Sequence, residues 1–133
     1  MIAIDTNVLV RVLIDDSNAT VQCEQARNLV NIYGDLWVSK IVLVETVWVL
    51  ESIYRLNKEQ VIWVLEKLVQ HPHVQLENAE HIDSVLTVFS ASNADFADCL
   101  ILSDAQYKHL MLHTFDRKLA RLHGAIRIGD EAV

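Results

Sequence analysis

The first fourteen residues, "MIAIDTNVLVRVLI" (1–14), carry two different periodicities in succession. "MIAI" is a short, uninterrupted apolar run that ends at Asp5 and reads as a buried strand. "TNVLVRVLI" then spaces its apolar residues as a helix does, until "DDSNAT" breaks the pattern. A strand followed at once by a helix is half of a parallel crossover, and the rest of the chain repeats it. "ATVQCEQARNLVNIY" is a second amphipathic helix, stopped by Gly34. "LWVS" is a brief strand, and its Ser39 is placed to cap a long helix that contains Glu45. "NKEQVIWVLEKLVQH" is another helix, with Asn57 as its cap and Pro72 just beyond it. "HVQLE" (strand), "AEHIDSVLTVFSAS" and "DFADCLILSDAQYK" (helices), "LMLHTF" (strand), "DRKLARL" (short helix) and "AIRI" (strand) complete the series. Alternation of this kind predicts an α/β fold with a parallel sheet covered on both faces through right-handed crossovers. No repeat, low-complexity tract or Pro/Gly/Ser linker interrupts it, so residues 1–133 are expected to form one domain.

Composition narrows the class. An apolar share of 52% with three Gly and one Pro fits a well-packed globular chain, not a disordered one. The longest apolar run falls far short of the roughly 20 residues that cross a membrane. No basic region precedes the first apolar stretch, so the N-terminus does not read as a signal peptide. Cys23 and Cys99 lie inside helices without zinc-type spacing, as buried thiols of a cytoplasmic protein would. The net charge of −7 argues against holding nucleic acid by bulk attraction. It leaves a polyanionic substrate open where carboxylates hold metal ions, because the cations reverse the local sign. Basic residues gather near the C-terminus, at Arg117, Lys118, Arg121 and Arg127, either as a solvated helix face or as a phosphate-contact patch.

The run "IVLVETVWVL" (41–50) contains one carboxylate, Glu45. Its helical neighbours at three and four residues are Ile41, Val42, Trp48 and Val49, all apolar, so it does not belong to an ordinary polar face. A buried carboxylate needs a cation, and Lys40, Arg55 or a metal ion would serve. In open parallel sheets, sites lie outside the carboxyl ends of the strands. Asp5 follows the first strand and Asp116 a later one, while Asp98 lies one turn into a helix whose inward face reads as Ile101 and Leu102. Taken singly, Asp5 and Asp116 could be helix caps, Asp98 a solvated residue and Glu45 half of an ion pair. One acidic pocket explains all four more economically. Clustered carboxylates without Cys or His suit hard Mg²⁺ or Mn²⁺, and such ions support phosphodiester hydrolysis by activated water.

"MIAIDTNVLVR", "VSKIVLVETVWVL", "DFADCLIL" and "TFDRKLARL", in this order and at these separations, resemble the PIN-domain ribonucleases, in particular the VapC-type toxins of toxin–antitoxin pairs. The likeness runs from Met1 to about Ile128. It implies a three-layer α/β/α sandwich with a central parallel sheet, and Mg²⁺- or Mn²⁺-dependent endoribonuclease activity. Homodimers and inhibition by a cognate antitoxin protein are also implied. Residue by residue, it assigns the acidic metal ligands to Asp5, Glu45, Asp98 and Asp116. Asn7 and Thr114 match polar positions that orient the acids or a water. Asp95 reads as the cap before Asp98, although its spacing turns it to the same side. Arg11, Arg117, Lys118 and Arg121 are candidates for RNA phosphate contacts. The rival readings are a catalytically inactive module that binds a partner protein and a structure-specific DNA nuclease.

Other patterns carry less. The six histidines read as structural or exposed: His71 and His73 in "HPH" lie in a turn beside Pro72, and the pair His109 and His113 spans a helix-to-strand boundary, where four-residue spacing does not present two ligands together. Trp37, Trp48 and Trp63 sit in apolar segments and read as core rather than as base-stacking platforms. The helices after Ser39 and Asn57 carry more apolar residues than one small sheet needs to cover. Part of that surface is expected to meet a second copy or an antitoxin helix.

Overall fold

The computed structural model of the protein describes residues 1–130. The elements run β1 (Ile2–Ala3), α1 (Thr6–Leu13), α2 (Thr20–Tyr33), β2 (Leu36–Val38), α3 (Lys40–Ser52) and α4 (Lys58–Gln70). They continue as β3 (Val74–Leu76), α5 (Ala79–Ala91), α6 (Phe96–Tyr107), β4 (Leu112–Thr114), α7 (Arg117–Ala120) and β5 (Ala125–Arg127). Each segment expected from periodicity is present in its expected class, and all the strand pairings are parallel. The chain is α/β, as the alternation requires. Its contacts divide it into two compact units, Met1–Ala79 and Glu80–Val133.

In the first unit β1, β2 and β3 pair in that order, with Ile2 opposite Leu36 and Leu36 opposite Val74. The strands are short because caps end them. Asp5 and Ser39 have extended backbones, and their side chains accept the Val8 and Val42 amides at 3.2 Å each. Helix α4 begins with a full capping box, in which Asn57 and Gln60 each accept the other's backbone amide at 2.9 Å. Leu9, Leu36, Leu43, Leu50, Leu65 and Leu68 are fully buried in this unit. In the second unit β4 pairs with β5, and Phe89 meets Phe96 edge to face with centroids 5.7 Å apart. Cys23 and Cys99 are buried free thiols, as expected. No described helix is long and apolar enough to cross a membrane.

The faces of three helices differ from the sequence reading. Helix α3 buries Leu43, Thr46, Val47 and Leu50 and turns Glu45 outward with Ile41 and Trp48. Glu45 is therefore exposed and needs no compensating cation to stay charged. It is the apolar neighbours that are out of place. Thr46 takes the buried position because its hydroxyl donates to the Val42 carbonyl at 2.7 Å and leaves no unmet polar group. Trp48 and Trp63, expected in the core, are 61% and 60% exposed, and Trp37 is half-buried. On α6 Leu102 faces inward as expected, but Ile101 is exposed, and Phe96, Cys99 and Leu100 complete the buried side. An apolar sequence marks what can be buried, while the number of packing partners decides what is.

Two substitutions separate core from cap. Leu50→Ala should cost about 2–5 kcal/mol through the cavity it leaves. Asn57→Ala should cost about 1 kcal/mol through the lost cap. Urea unfolding followed by circular dichroism checks both.

Candidate functional site

The starts of three helices place the acids. Asp5 is the N-cap of α1, Asp95 of α6 and Asp116 of α7. Each accepts a backbone amide through Oδ1: from Val8 at 3.2 Å, Asp98 at 2.8 Å and Leu119 at 2.9 Å. The cap reading weighed for Asp5 and Asp116 is thus correct as local structure, and so is that for Asp95. It does not compete with a second role, since these bonds engage one oxygen of each carboxylate.

In the first unit Asp5 and Glu45 line one cavity of about 530 Å³, together with Thr6, Asn7, Val42, Val44, Trp48 and Val49. Asn7, expected beside the acids, lines it too. No ion pair joins Glu45 to a cation among the described residues, so Lys40 and Arg55 are not its partners. Glu77, an acid not singled out from the sequence, follows β3, and one of its oxygens accepts the Lys40 amide at 3.0 Å at the start of α3.

In the second unit Asp98 is half-buried. Burial pushes its carboxyl above the usual carboxylate range, the charges of Asp95 and Asp116 push it further, and its hydrogen bond with Asp95 adds to this. The three acids therefore share one electrostatic neighbourhood. Thr114 accepts the Asp116 amide at 3.0 Å and fixes the turn that presents this acid. Among the described residues, no three His, Cys, Asp or Glu side chains are gathered closely enough to hold a metal ion by themselves.

The basic candidates divide. Arg11 is held in a network: its Nη1 donates to the Tyr54 hydroxyl at 2.9 Å and reaches Asp16 at 3.4 Å, and its Nε donates to Gln22 at 2.9 Å. The Tyr54 hydroxyl in turn donates to Asp16 at 2.9 Å. Arg117, Arg121 and Arg127 line a second-unit cavity of about 340 Å³ with Ala120, Ala125, Ile126 and Asp130. Lys118 is exposed on α7. Of the histidines, His71 and His81 are half-buried and the remaining four are exposed.

A family model described as PIN domain matches residues 2–125. The chain belongs to the PIN domain family. No curated protein matches it. PIN domains are generally metal-dependent nucleases and usually bind a divalent metal. The donor chemistry is compatible with that: carboxylates offer the hard oxygen atoms such ions prefer, and Asp98 is raised by burial and then by the neighbouring charges of Asp95 and Asp116.

That shift has a pH signature. The folded Asp98 carboxyl lies above its ordinary value of 3.8, so its contribution to stability is full below that value. The contribution is lost as pH rises through the higher folded value. Asp98→Asn should therefore melt above the wild-type protein at pH 7 in EDTA, and the gap should close on acidification below 3.8. Thermal melts of both proteins across pH check this. A gap that does not change with pH would trace the effect to something other than charge.

Proposed function

We propose that this PIN domain is a Mg²⁺- or Mn²⁺-dependent endoribonuclease, and the toxin of a toxin–antitoxin pair. Its ion ligands are Asp5, Glu45, Asp98 and Asp116. The observation that carries this reading is the cavity lined jointly by Asp5 and Glu45, in a chain of a family that is generally nucleolytic. Helix α1 holds Asp5 at its N-terminus and leaves one oxygen to face a cation. Glu45 is exposed and unpaired, so no salt bridge has to break before it binds one. Burial first, and then the charges of Asp95 and Asp116, raise the Asp98 carboxyl, and a divalent ion bound there would offset that crowding of charge. When bound, such an ion supplies Lewis acidity and an activated water. Hydrolysis then forms a bond from the oxygen of water to phosphorus and breaks the bond to one ribose oxygen, which leaves as a hydroxyl. Arg117 and Arg121, with Lys118 on the same short helix, offer positive charge to the RNA backbone. Arg11 contributes less, because Asp16 and Tyr54 already occupy it.

A homodimer and an antitoxin helix are proposed as partners on the strength of the exposed apolar side chains of α3 and α4, Ile41 and Trp63 among them. A gene for a small DNA-binding protein next to this one would support the pairing. A purely protein-binding role shares that surface but gives no account of the cavity that Asp5 and Glu45 line together.

Single-stranded RNA incubated with the chain should be cut in Mg²⁺ or Mn²⁺ and spared in EDTA, with DNA of the same sequence cut more slowly. Asp5→Asn and Asp98→Asn should each abolish cleavage and keep the wild-type circular dichroism. Wild-type rates in either variant would remove that residue from the ligand set. Arg121→Ala should weaken binding to all RNA sequences alike. It should also reduce the slope of log affinity against log salt by about 0.7, the loss of one single-strand phosphate contact. Fluorescence anisotropy at several salt concentrations measures it.

A further inference from the structure

The cavity that holds Asp5 and Glu45 has two kinds of wall. Its acidic end is formed by those carboxylates and its apolar side by Val42, Val44, Val49 and Trp48. Trp48 lies three residues after Glu45 on α3, so the indole and the carboxylate share one side of the helix. The indole is 61% exposed and meets no other ring among the described residues. Trp63 is exposed to a similar degree, yet the Lys67 ammonium sits 5.4 Å from its ring centroid. The two tryptophans are not equivalent: the ring of one is engaged by a cation, and the other stands open beside an acidic site.

What covers Trp48 has to suit both walls. A second copy docking here through a two-fold axis would bring Glu45 towards Glu45 of its partner and strip water from like charges. An apolar helix would desolvate Asp5 and Glu45 without offering either a hydrogen bond. A nucleotide matches both walls, with a flat base for the indole and a phosphate for the metal-loaded acids. We infer that Trp48 is a stacking platform for one nucleobase of the single-stranded substrate, and that it seats the nucleotide beside Asp5 and Glu45. This rests on the nuclease reading above. Stacking on an aromatic face tolerates every base, so Trp48 selects single strands over duplexes and leaves the base identity open. Because the contact is made in the ground state and the transition state alike, it governs binding rather than the chemical step.

The test uses the whole chain and a mixed-sequence, single-stranded RNA dodecamer. A fluorophore and quencher at its ends report cleavage in Mn²⁺, and tryptophan emission reports binding in Ca²⁺. Trp48→Ala should raise KM by roughly 5- to 150-fold, the equivalent of about 1–3 kcal/mol of stacking, and leave kcat within about twofold. Trp48→Phe should recover most of that loss, which a mere packing defect would not allow. The dodecamer should quench wild-type emission. A dodecamer of abasic riboses should not, and Trp48→Phe should show no comparable quench while Trp63→Phe keeps it. An unchanged KM in Trp48→Ala, or equal quenching by the abasic strand, overturns the platform. So does a wild-type dimer that Trp48→Ala converts to monomer in sedimentation, since the occupant is then a second copy. A wild-type chain that cuts no RNA in either metal sinks the nuclease reading instead, and the quenching comparison still decides whether a base sits on Trp48.

Discussion

A strand that gives way to a helix within two residues must change its backbone direction while the first amides of the helix find acceptors. Three strand-to-helix junctions of this protein meet that demand with a side-chain oxygen. Ser39 does it before α3, Asp5 before α1 and Asp116 before α7, and Asp95 caps α6 in the same way after a preceding helix. Unsatisfied amides and the helix dipole favour an anion at these points. The same geometry sets Asp5 directly after β1, at the carboxyl end of a parallel strand, where α/β proteins build their sites. The need for a cap and the proposed use of a carboxylate as ligand thus fall on one residue. The hydrogen bond that serves the first engages one oxygen of Asp5.

The acids of this chain fall into two groups by what surrounds them. Asp16 is drawn below the usual carboxylate range by the Asn18 amide, then by the Tyr54 hydroxyl and Arg11. Asp35 is lowered likewise by its hydrogen bonds with His73 and Gln75. Both are structural fasteners, satisfied by donors within their own unit. Asp98 is the opposite case, raised by burial and by two carboxylates. Three carboxylates are brought together there with no basic side chain among the causes that act on Asp98, which protein stability alone does not reward. A net charge of −7 is compatible with an RNA substrate only if cations supply what the side chains do not. The second-unit cavity lined by Arg117, Arg121 and Arg127 adds a local exception to the acidic average.

The order of helices and strands was readable throughout, down to Ser39 and Asn57 as caps, because capping chemistry and apolar period act within a few residues. So were the positions of Asp5 and Asp116, since an acid directly after an apolar strand is a local pattern. The orientation of α3 was not readable. Apolar residues surround Glu45 on every side, and such a helix carries no sequence signal for which side turns inward. The burial of Glu45 and the core placement of Trp48 and Trp63 were inferred from that uniformity and were wrong for the same reason. Glu77 was missed because its role is to meet the Lys40 amide, a partner 37 residues away.

By itself the sequence determined the α/β alternation, the caps and the identities of the acidic residues, all of which depend on neighbours along the chain. The tertiary structure alone decided which face of α3 is buried. It thereby set Trp48 in the open beside Asp5 and Glu45, and gave Asp98 the company of Asp95 and Asp116. The reason is physical: burial and electrostatic coupling depend on distances between residues far apart in the chain, and an apolar residue is free to occupy either side of a boundary that only packing draws.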